Sequence, residues 1–136
     1  SEADLDIALT AFDAFKKWRA GTSLEMVASE LPVVSEKYKY GGTIDLLVFD
    51  TDSDAICLID LKTSNSLHLS HVVQVAAYKH AYEEVHGKIS DVMILKLNKD
   101  SVDFHEYWVS NKQLDIGFRV FKHCLQLEKL QMQLEM

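Results

Sequence analysis

The sequence is poor in the residues that mark several common kinds of protein. Its 136 residues include one proline and two cysteines, Cys57 and Cys124, and no CxxC pair. A zinc ribbon and a thioredoxin-type redox site are therefore excluded, and a reducing, intracellular compartment is expected. No apolar run approaches the ~18 residues that a membrane span needs, and no signal peptide opens the chain. We therefore expect no membrane partner.

Acidic residues outnumber basic ones by 21 to 14, which gives a formal net charge of -7. That balance alone argues against a dedicated nucleic-acid binder, whose surface is usually basic. It does not exclude a metal-dependent nuclease, because such a site gathers carboxylates and the bound cations reverse the local field. The hydrophobic fraction of 48% is sufficient for one core, so residues 1–136 are expected to form a single domain.

Hydrophobic periodicity predicts the order helix, three strands, helix, two strands, helix. The predicted segments are helix 4–19, strands 26–34, 37–50 and 55–62, helix 70–86, strands 91–97 and 102–109, and helix 111–134. Pro32 marks the first strand as an edge strand. The second helix is expected to cross over and bring the fourth strand into the sheet of the first three. The fold class is thus α/β, with a mixed sheet flanked by helices.

The first helix has apolar residues at three- and four-residue spacing, which predicts an amphipathic helix that ends near Gly21. Its predicted buried face comprises Leu5, Ala8, Phe12, Phe15 and Trp18. The helix begins abruptly, which suggests that the natural domain begins upstream of Ser1.

Two acids stand in strands where hydrophobic residues are expected. Asp45 interrupts Thr43-Ile44-Asp45-Leu46, and Asp60 interrupts Leu58-Ile59-Asp60-Leu61-Lys62. A carboxylate inside a sheet is costly unless it is paired or bound to metal. Alternation places Asp60 and Lys62 on one face, and a hairpin can bring Asp45 beside Asp60.

Two neighbouring carboxylates repel each other, and a hard divalent cation relieves the repulsion. Oxygen ligands suit Mg²⁺ or Mn²⁺, and the backbone carbonyl of Leu61 is a candidate further ligand. Lys62 then has two candidate roles. It can stabilise a phosphate and the charge that develops on it, or it can help to orient and deprotonate the attacking water.

Three segments in order resemble the motifs of the PD-(D/E)xK nuclease superfamily. Gly42-Thr43-Ile44-Asp45, then Asp60-Leu61-Lys62, then Gln74 to Tyr78 resemble the GxxD, (D/E)xK and QxxxY series of RecB-type and phage exonuclease-like members. A lone DxK is weak evidence, whereas three motifs in order on the expected elements are strong evidence. The resemblance implies a restriction-endonuclease-like fold.

The resemblance also assigns roles to residues. It makes Asp45 and Asp60 metal ligands and Lys62 the catalytic lysine, with Gln74 and Tyr78 on a helix face that looks onto the active site and the nucleic acid. Thr63 and Ser64, directly after the DxK motif, are expected to contact nucleic acid. Glu30 resembles an acid that precedes the GxxD strand and is a further candidate metal ligand, with Glu36 as its competitor.

One departure from the family pattern concerns the first helix. Many RecB-type members carry a histidine or glutamate there as an additional metal ligand. The predicted helix contains Asp4, Asp6 and Asp13 but no histidine. The missing ligand is expected upstream of Ser1.

The resemblance implies a Mg²⁺- or Mn²⁺-dependent deoxyribonuclease. It favours an exonuclease that acts on single strands or duplex ends over a site-specific enzyme. Phage recombination, DNA repair and CRISPR adaptation are where the family recurs, so the expected location is the cytoplasm of a bacterial or phage-infected cell. The alternative is a catalytically inactive module that keeps the fold and binds nucleic acid or a protein. Cleavage of RNA uses the same chemistry, and the sequence does not indicate an oligomeric state.

Each candidate residue also has a purely structural interpretation. Asp60 and Lys62 could be an exposed pair on an edge strand, and Asp45 could cap the turn after Gly41-Gly42. Gln74 and Tyr78 could be an ordinary polar residue and a core tyrosine. The histidines His68 and His71, three apart before the second helix, are expected at the surface or against a phosphate and not as zinc ligands.

Overall fold

The structure is a computed structural model that describes residues 1–63 and 66–136. The elements are α1 (Glu2–Ala20), β1 (Leu24–Ser35), β2 (Tyr40–Asp50), β3 (Ala55–Lys62), α2 (Leu69–Val85), β4 (Asp91–Leu97), β5 (Phe104–Val109) and α3 (Asn111–Glu135). Their order confirms the predicted order. The strands form one five-stranded mixed sheet, β1-β2-β3-β4-β5, flanked by helices, which confirms the α/β fold class.

The pairing of the strands follows from the lengths of their connections. Short turns join β1, β2 and β3, so these strands form an antiparallel meander. The crossover through α2 makes β4 parallel to β3, and β5 returns antiparallel to β4. A parallel neighbour requires a long connection of this kind. Strand β1, which carries Pro32, lies at the edge as predicted.

The turn between β1 and β2 is longer than predicted. Residues 36–39 form a turn in which Lys39 has a φ of 60°, so β2 begins at Tyr40 and not at residue 37. The N–H of Lys39 donates to the carbonyl of Ser35, 2.9 Å away, and this bond closes the turn. Alternating aromatic residues at 38 and 40 made the strand look longer than it is.

Two cores lie on opposite faces of the sheet. The face under α2 and α3 is built on residues such as Ile44, Leu58 and Ile94. The face under α1 is built on residues such as Val48, Ile59 and Leu95. Because successive side chains of a strand alternate between faces, Asp60 belongs with Leu58 on the α2 face.

The predicted buried face of α1 is wrong in part. Leu5 and Phe12 are more than half exposed, and Ala8 is exposed too. The residues that are buried are Ala11, Ala14 and Trp18. Two small alanines allow the helix to lie close to the sheet, and the Trp18 indole fills the remaining space. In the described part of the chain, no helix combines the length and the apolar character that spanning a bilayer requires.

Candidate active site

Strand β2 diverges from β3 at Asp45. The paired register runs from Asp50 opposite Ala55 to Leu46 opposite Ile59. One further step along both strands places Asp45 beside Asp60. There the Oδ2 atom of Asp45 accepts a hydrogen bond from the backbone N–H of Leu61, at 2.8 Å. The carboxylate thus takes the place of a strand partner, which fixes it against the Asp60-Leu61-Lys62 segment and rules out a role as a cap of the turn after Gly42.

Asp60 lies in the central strand and is 3% exposed, which rules out the exposed edge-strand pair. Among the described residues its buried Oδ2 atom has no hydrogen-bond partner. The Nζ atom of Lys62 lies 3.2 Å from that oxygen, an ion-pair distance without favourable hydrogen-bond geometry. A buried carboxylate oxygen left in this way is costly, and it is the kind of atom that a cation would satisfy.

The electrostatics of Asp60 reflect this burial. Desolvation raises the pKa of the Asp60 carboxyl to about 6, the positive charge of Lys62 opposes that rise, and the neighbouring Asp45 adds to it. The two acids are therefore close enough to compete for one proton or one positive charge. A divalent cation between them would remove the conflict and keep both ionised.

Lys62 is held by residues of α2. Its Nζ atom donates to Oε1 of Gln74 at 3.0 Å, and Nε2 of Gln74 donates to the hydroxyl of Tyr78 at 2.8 Å. Gln74 and Tyr78 are four residues apart and so lie on one face of the helix. The predicted catalytic residues therefore form a continuous chain from Asp60 through Lys62 and Gln74 to Tyr78.

Glu30 lies on β1 next to the residues that pair with β2 on either side of Asp45. It does not complete a cluster of metal ligands among the described residues. It has a φ of 48° inside β1, where its neighbours Ser29 and Leu31 pair with Leu46 and Ile44. Glu30 and Asp45 line an open cleft of about 390 Å³, together with Leu61. Across residues 1–63 and 66–136, no three His, Cys, Asp or Glu side chains form a group that could hold a metal ion.

The competitor Glu36 and the acids of α1 lie elsewhere. Glu36 is exposed in the turn after β1, where it forms an ion pair with Lys39 at 3.3 Å. It is six residues beyond Glu30, about 20 Å along an extended strand. Asp4, Asp6 and Asp13 are exposed on α1, which packs on the opposite face of the sheet. Neither group can reach the Asp45–Asp60 pair in this arrangement.

The residues after the DxK motif are only partly described. Thr63 is exposed directly after β3, while Ser64 lies outside the described residues. The rings of His68 and His71 pack at 5.2 Å between centroids, and the N–H of His68 donates to Nδ1 of His71. Burial lowers the pKa of His71, and the nearby Lys62 and His68 lower it further. His71 therefore faces the same cleft as Lys62.

Sequence reasoning missed Lys96 and Tyr107, which line that cleft with Lys62 and His71. Lys96 could have been found by the same pattern as the two aspartates, because it is a charged residue that interrupts the apolar run of β4, Val92 to Leu97. Tyr107 is next to Trp108 in a short strand of mixed polarity, and nothing in the sequence distinguished it.

The fold and the site together define a class of protein, and comparison with known proteins names it. A family model of the PD-(D/E)XK nuclease superfamily matches residues 1–127. Since this match spans most of the chain, the protein belongs to the PD-(D/E)XK nuclease superfamily. Among curated proteins no significant match is found.

A solved structure supports the fold independently. The chain is similar to the crystal structure of a presumed exonuclease from Eubacterium rectale, with a TM-score of 0.53 and 14% sequence identity. The similarity covers 71% of this chain and 41% of that one. The present chain therefore corresponds to less than half of the length of that protein. At this identity the comparison shows a common fold.

The residues fit the divalent cation that this superfamily generally uses. Two carboxylates from adjacent strands supply hard oxygen donors, and the Oδ2 atom of Asp60 is buried without a hydrogen-bond partner among the residues described. Hard oxygen donors favour Mg²⁺, Mn²⁺ or Ca²⁺ over softer metals. Asp45 and Asp60 are therefore the residues that would hold such an ion.

Proposed function

We propose that this protein is a Mg²⁺- or Mn²⁺-dependent deoxyribonuclease, and that it acts as an exonuclease on single strands or duplex ends. The observation that carries the proposal is the arrangement of Asp45, Asp60 and Lys62. Two carboxylates and one ammonium group from adjacent strands converge where β2 diverges from β3. The superfamily supports hydrolysis of phosphodiesters, and the exonuclease assignment rests on the motif series and on the name of the similar structure.

The chain's own residues would divide the work of catalysis. Asp45 and Asp60 would hold the cation, with the carbonyl of Leu61 as a further candidate ligand and Glu30 placed at the open side of the cleft. When bound, the cation supplies Lewis acidity and lowers the pKa of water. The ammonium group of Lys62 would stabilise negative charge on the phosphate that is attacked. Gln74 would hold Lys62 at that position.

The nucleic-acid strand would lie along the side of the site that α2 borders. Gln74 and Tyr78 face it through their contact with Lys62, and Thr63 follows the catalytic strand at the surface. We propose that Thr63 and Ser64 contact the strand, as in the RecB-type and phage members that the motifs resemble, and that Gln74 and Tyr78 border the strand while they hold Lys62 in place. A role in DNA recombination or repair in the cytoplasm of a bacterial or phage-infected cell belongs to the same proposal.

The alternative is a module that keeps the fold but no longer cleaves. The ion pair between Lys62 and Asp60 is the observation that favours it, because the ammonium group partly neutralises the carboxylate that a cation would need. Net charge adds to this, since a chain at -7 repels nucleic acid. The cleavage assay described next separates the two functions.

The proposal is tested by cleavage of labelled single-stranded DNA, duplex DNA and RNA with Mn²⁺ or Mg²⁺. We expect cleavage of DNA by the wild-type chain and losses of about 1000-fold or more for Asp60→Asn and Lys62→Met, as for removal of groups that stabilise a transition state. Asp100→Asn and Lys88→Met change the same charges at exposed positions and serve as matched controls. Cleavage by Asp60→Asn at the wild-type rate would reject the site, and preference for RNA would reject the substrate.

A further inference from the structure

A row of two lysines and one histidine crosses three strands beside the proposed active site. Lys62 of β3 lies opposite Lys96 of β4, and Lys96 lies opposite His105 of β5. Residues directly opposite each other on neighbouring strands place their side chains on the same face. At the usual distance between strands, this row of three residues, here called the basic row, spans about 10 Å.

The basic row lies on the same face as Asp60 and Lys62. Lys96 is two residues after Ile94, which is buried in the core under α2. His105 is two residues before Tyr107, and their rings are 6.3 Å apart. Because side chains two apart share a face, Lys96 and His105 continue the surface that begins at Asp60 and Lys62. Lys62, Lys96 and Tyr107 also line one cleft.

Two lysines, Lys62 and Lys96, lie directly opposite each other in adjacent strands. The chain has 14 basic residues against 21 acidic ones, so placing two lysines side by side in adjacent central strands is not a consequence of a generally basic surface. A phosphate group beside them would be attracted by both ammonium groups.

We propose that Lys96 and His105 extend the active site into a track for the backbone phosphates of one nucleic-acid strand. This inference rests on the proposed function, in that the phosphate at Lys62 is the one attacked and those at Lys96 and His105 follow it along the strand. A lysine ammonium binds phosphate as a point charge, and an imidazole donates an N–H. A row one side chain wide matches one backbone. Contacts of this kind position a strand without reading its sequence.

Binding without cleavage tests the track. A fluorescein-labelled single-stranded oligonucleotide is titrated with the full chain in EDTA, and anisotropy is followed over a range of NaCl concentrations. We expect Lys96→Gln to weaken binding about fivefold at low salt, equally for different sequences. The slope of log K against log salt should fall by about 0.7, the value for one phosphate contact on a single strand. His105→Gln should weaken binding less.

Two further variants separate binding from folding. Lys88→Gln removes one positive charge just after the C-terminal end of α2, about 25 Å from its N-terminal end for 17 residues of helix, and should leave binding unchanged. Lys96→Arg keeps the charge and should retain at least half of the wild-type affinity. Thermal unfolding of each variant, followed by circular dichroism, reports whether the fold is kept.

The outcomes distinguish this inference from the proposed function. If Lys96→Gln is folded and binds like Lys88→Gln, the track is rejected, whatever the wild-type chain cleaves. If binding depends on Lys96 while the wild-type chain cleaves nothing with Mn²⁺, the track stands and the proposed function fails. No binding of the single-stranded oligonucleotide by the wild-type chain would also overturn the track.

Discussion

The ring of Tyr78 occupies the space that a side chain at position 42 would need. A β-carbon built on Gly42 would lie 2.2 Å from Cε1 and 2.7 Å from Cδ1 of Tyr78. The glycine three residues before Asp45 therefore admits the ring whose hydroxyl accepts a hydrogen bond from Gln74. Strand β2, which carries Asp45, therefore packs through this contact against helix α2, which holds Lys62.

We predict that Gly42→Ala destabilises the protein by about 1–3 kcal/mol, because the new methyl group must displace the Tyr78 ring. Urea denaturation measures the change in the free energy of unfolding. Gly87→Ala is the matched control, since a β-carbon there would meet nothing within 4 Å. In a Tyr78→Ala background the cost of Gly42→Ala should shrink by more than half. An unchanged cost in that background would show that the ring is not the obstacle.

Gln74 should act as a positioning residue for Lys62. We predict that Gln74→Ala lowers kcat about tenfold with little change in KM, because the ammonium group loses its 3.0 Å partner while substrate contacts remain. Gln74→Glu keeps an acceptor at the same place and should recover part of the loss. Steady-state kinetics on labelled DNA gives both constants, and a change confined to KM would assign Gln74 to substrate binding instead.

Tyr78→Phe separates the hydroxyl of that residue from its ring. The ring still fills the space at Gly42, so we expect the free energy of unfolding to change by no more than about 1.5 kcal/mol, the usual net value of one hydrogen bond. The loss of kcat should be smaller than for Gln74→Ala, since only the orientation of the Gln74 amide is affected. A larger loss for Tyr78→Phe would place the hydroxyl in contact with the substrate.

The buried Asp60 should make stability depend on pH when no metal is present. Its pKa is raised from 3.8 to about 6, so between these values the folded state keeps a proton that the unfolded state has lost. Stability therefore falls as the pH rises from 4 to 6 and levels off above that. We predict that Asp60→Asn removes this fall and is more stable than the wild-type chain at pH 8 by up to about 3 kcal/mol.

Denaturation in EDTA at several pH values measures this difference. Asp100→Asn, at an exposed position, should show no such pH-dependent gain. The difference between the wild-type chain and Asp60→Asn should vanish below about pH 3, where the carboxyl is protonated in both states. If Asp60→Asn is instead less stable than the wild-type chain at pH 8, the ion pair with Lys62 outweighs the desolvation of the carboxylate.

The order and type of the elements could be predicted because hydrophobic periodicity is a local property. The apolar run in 55–62 and the helical spacing after residue 69 each follow from the residues of one element. The two acids could be found for the same reason, since each interrupts an apolar strand. The same reasoning failed for α1, because the choice between the face with Phe12 and the face with Ala14 depends on how closely a helix can approach the sheet.

The geometry of the site depends on contacts between distant segments, so it could not be read from the sequence. The last paired residues of β2 and β3 are Leu46 and Ile59. Because β2 leaves β3 at the adjacent residue, Asp45, the Asp45 carboxylate can accept the hydrogen bond from the N–H of Leu61. The contact of Gly42 with Tyr78 joins residues 36 apart in sequence. The basic row depends on the register of three strands, and the sequence predicts strands but not their register.

Binding of Mn²⁺ to the metal-free chain tests most directly whether Asp45 and Asp60 share a cation. Isothermal titration calorimetry of the wild-type chain, Asp45→Asn, Asp60→Asn and the control Asp100→Asn gives the affinity of each, and thermal unfolding with and without Mn²⁺ gives the linked stabilisation. We predict that the wild-type chain and the control bind Mn²⁺ and are stabilised by it, and that each site variant loses both effects. Equal Mn²⁺ affinity in Asp60→Asn and the wild-type chain would contradict the account.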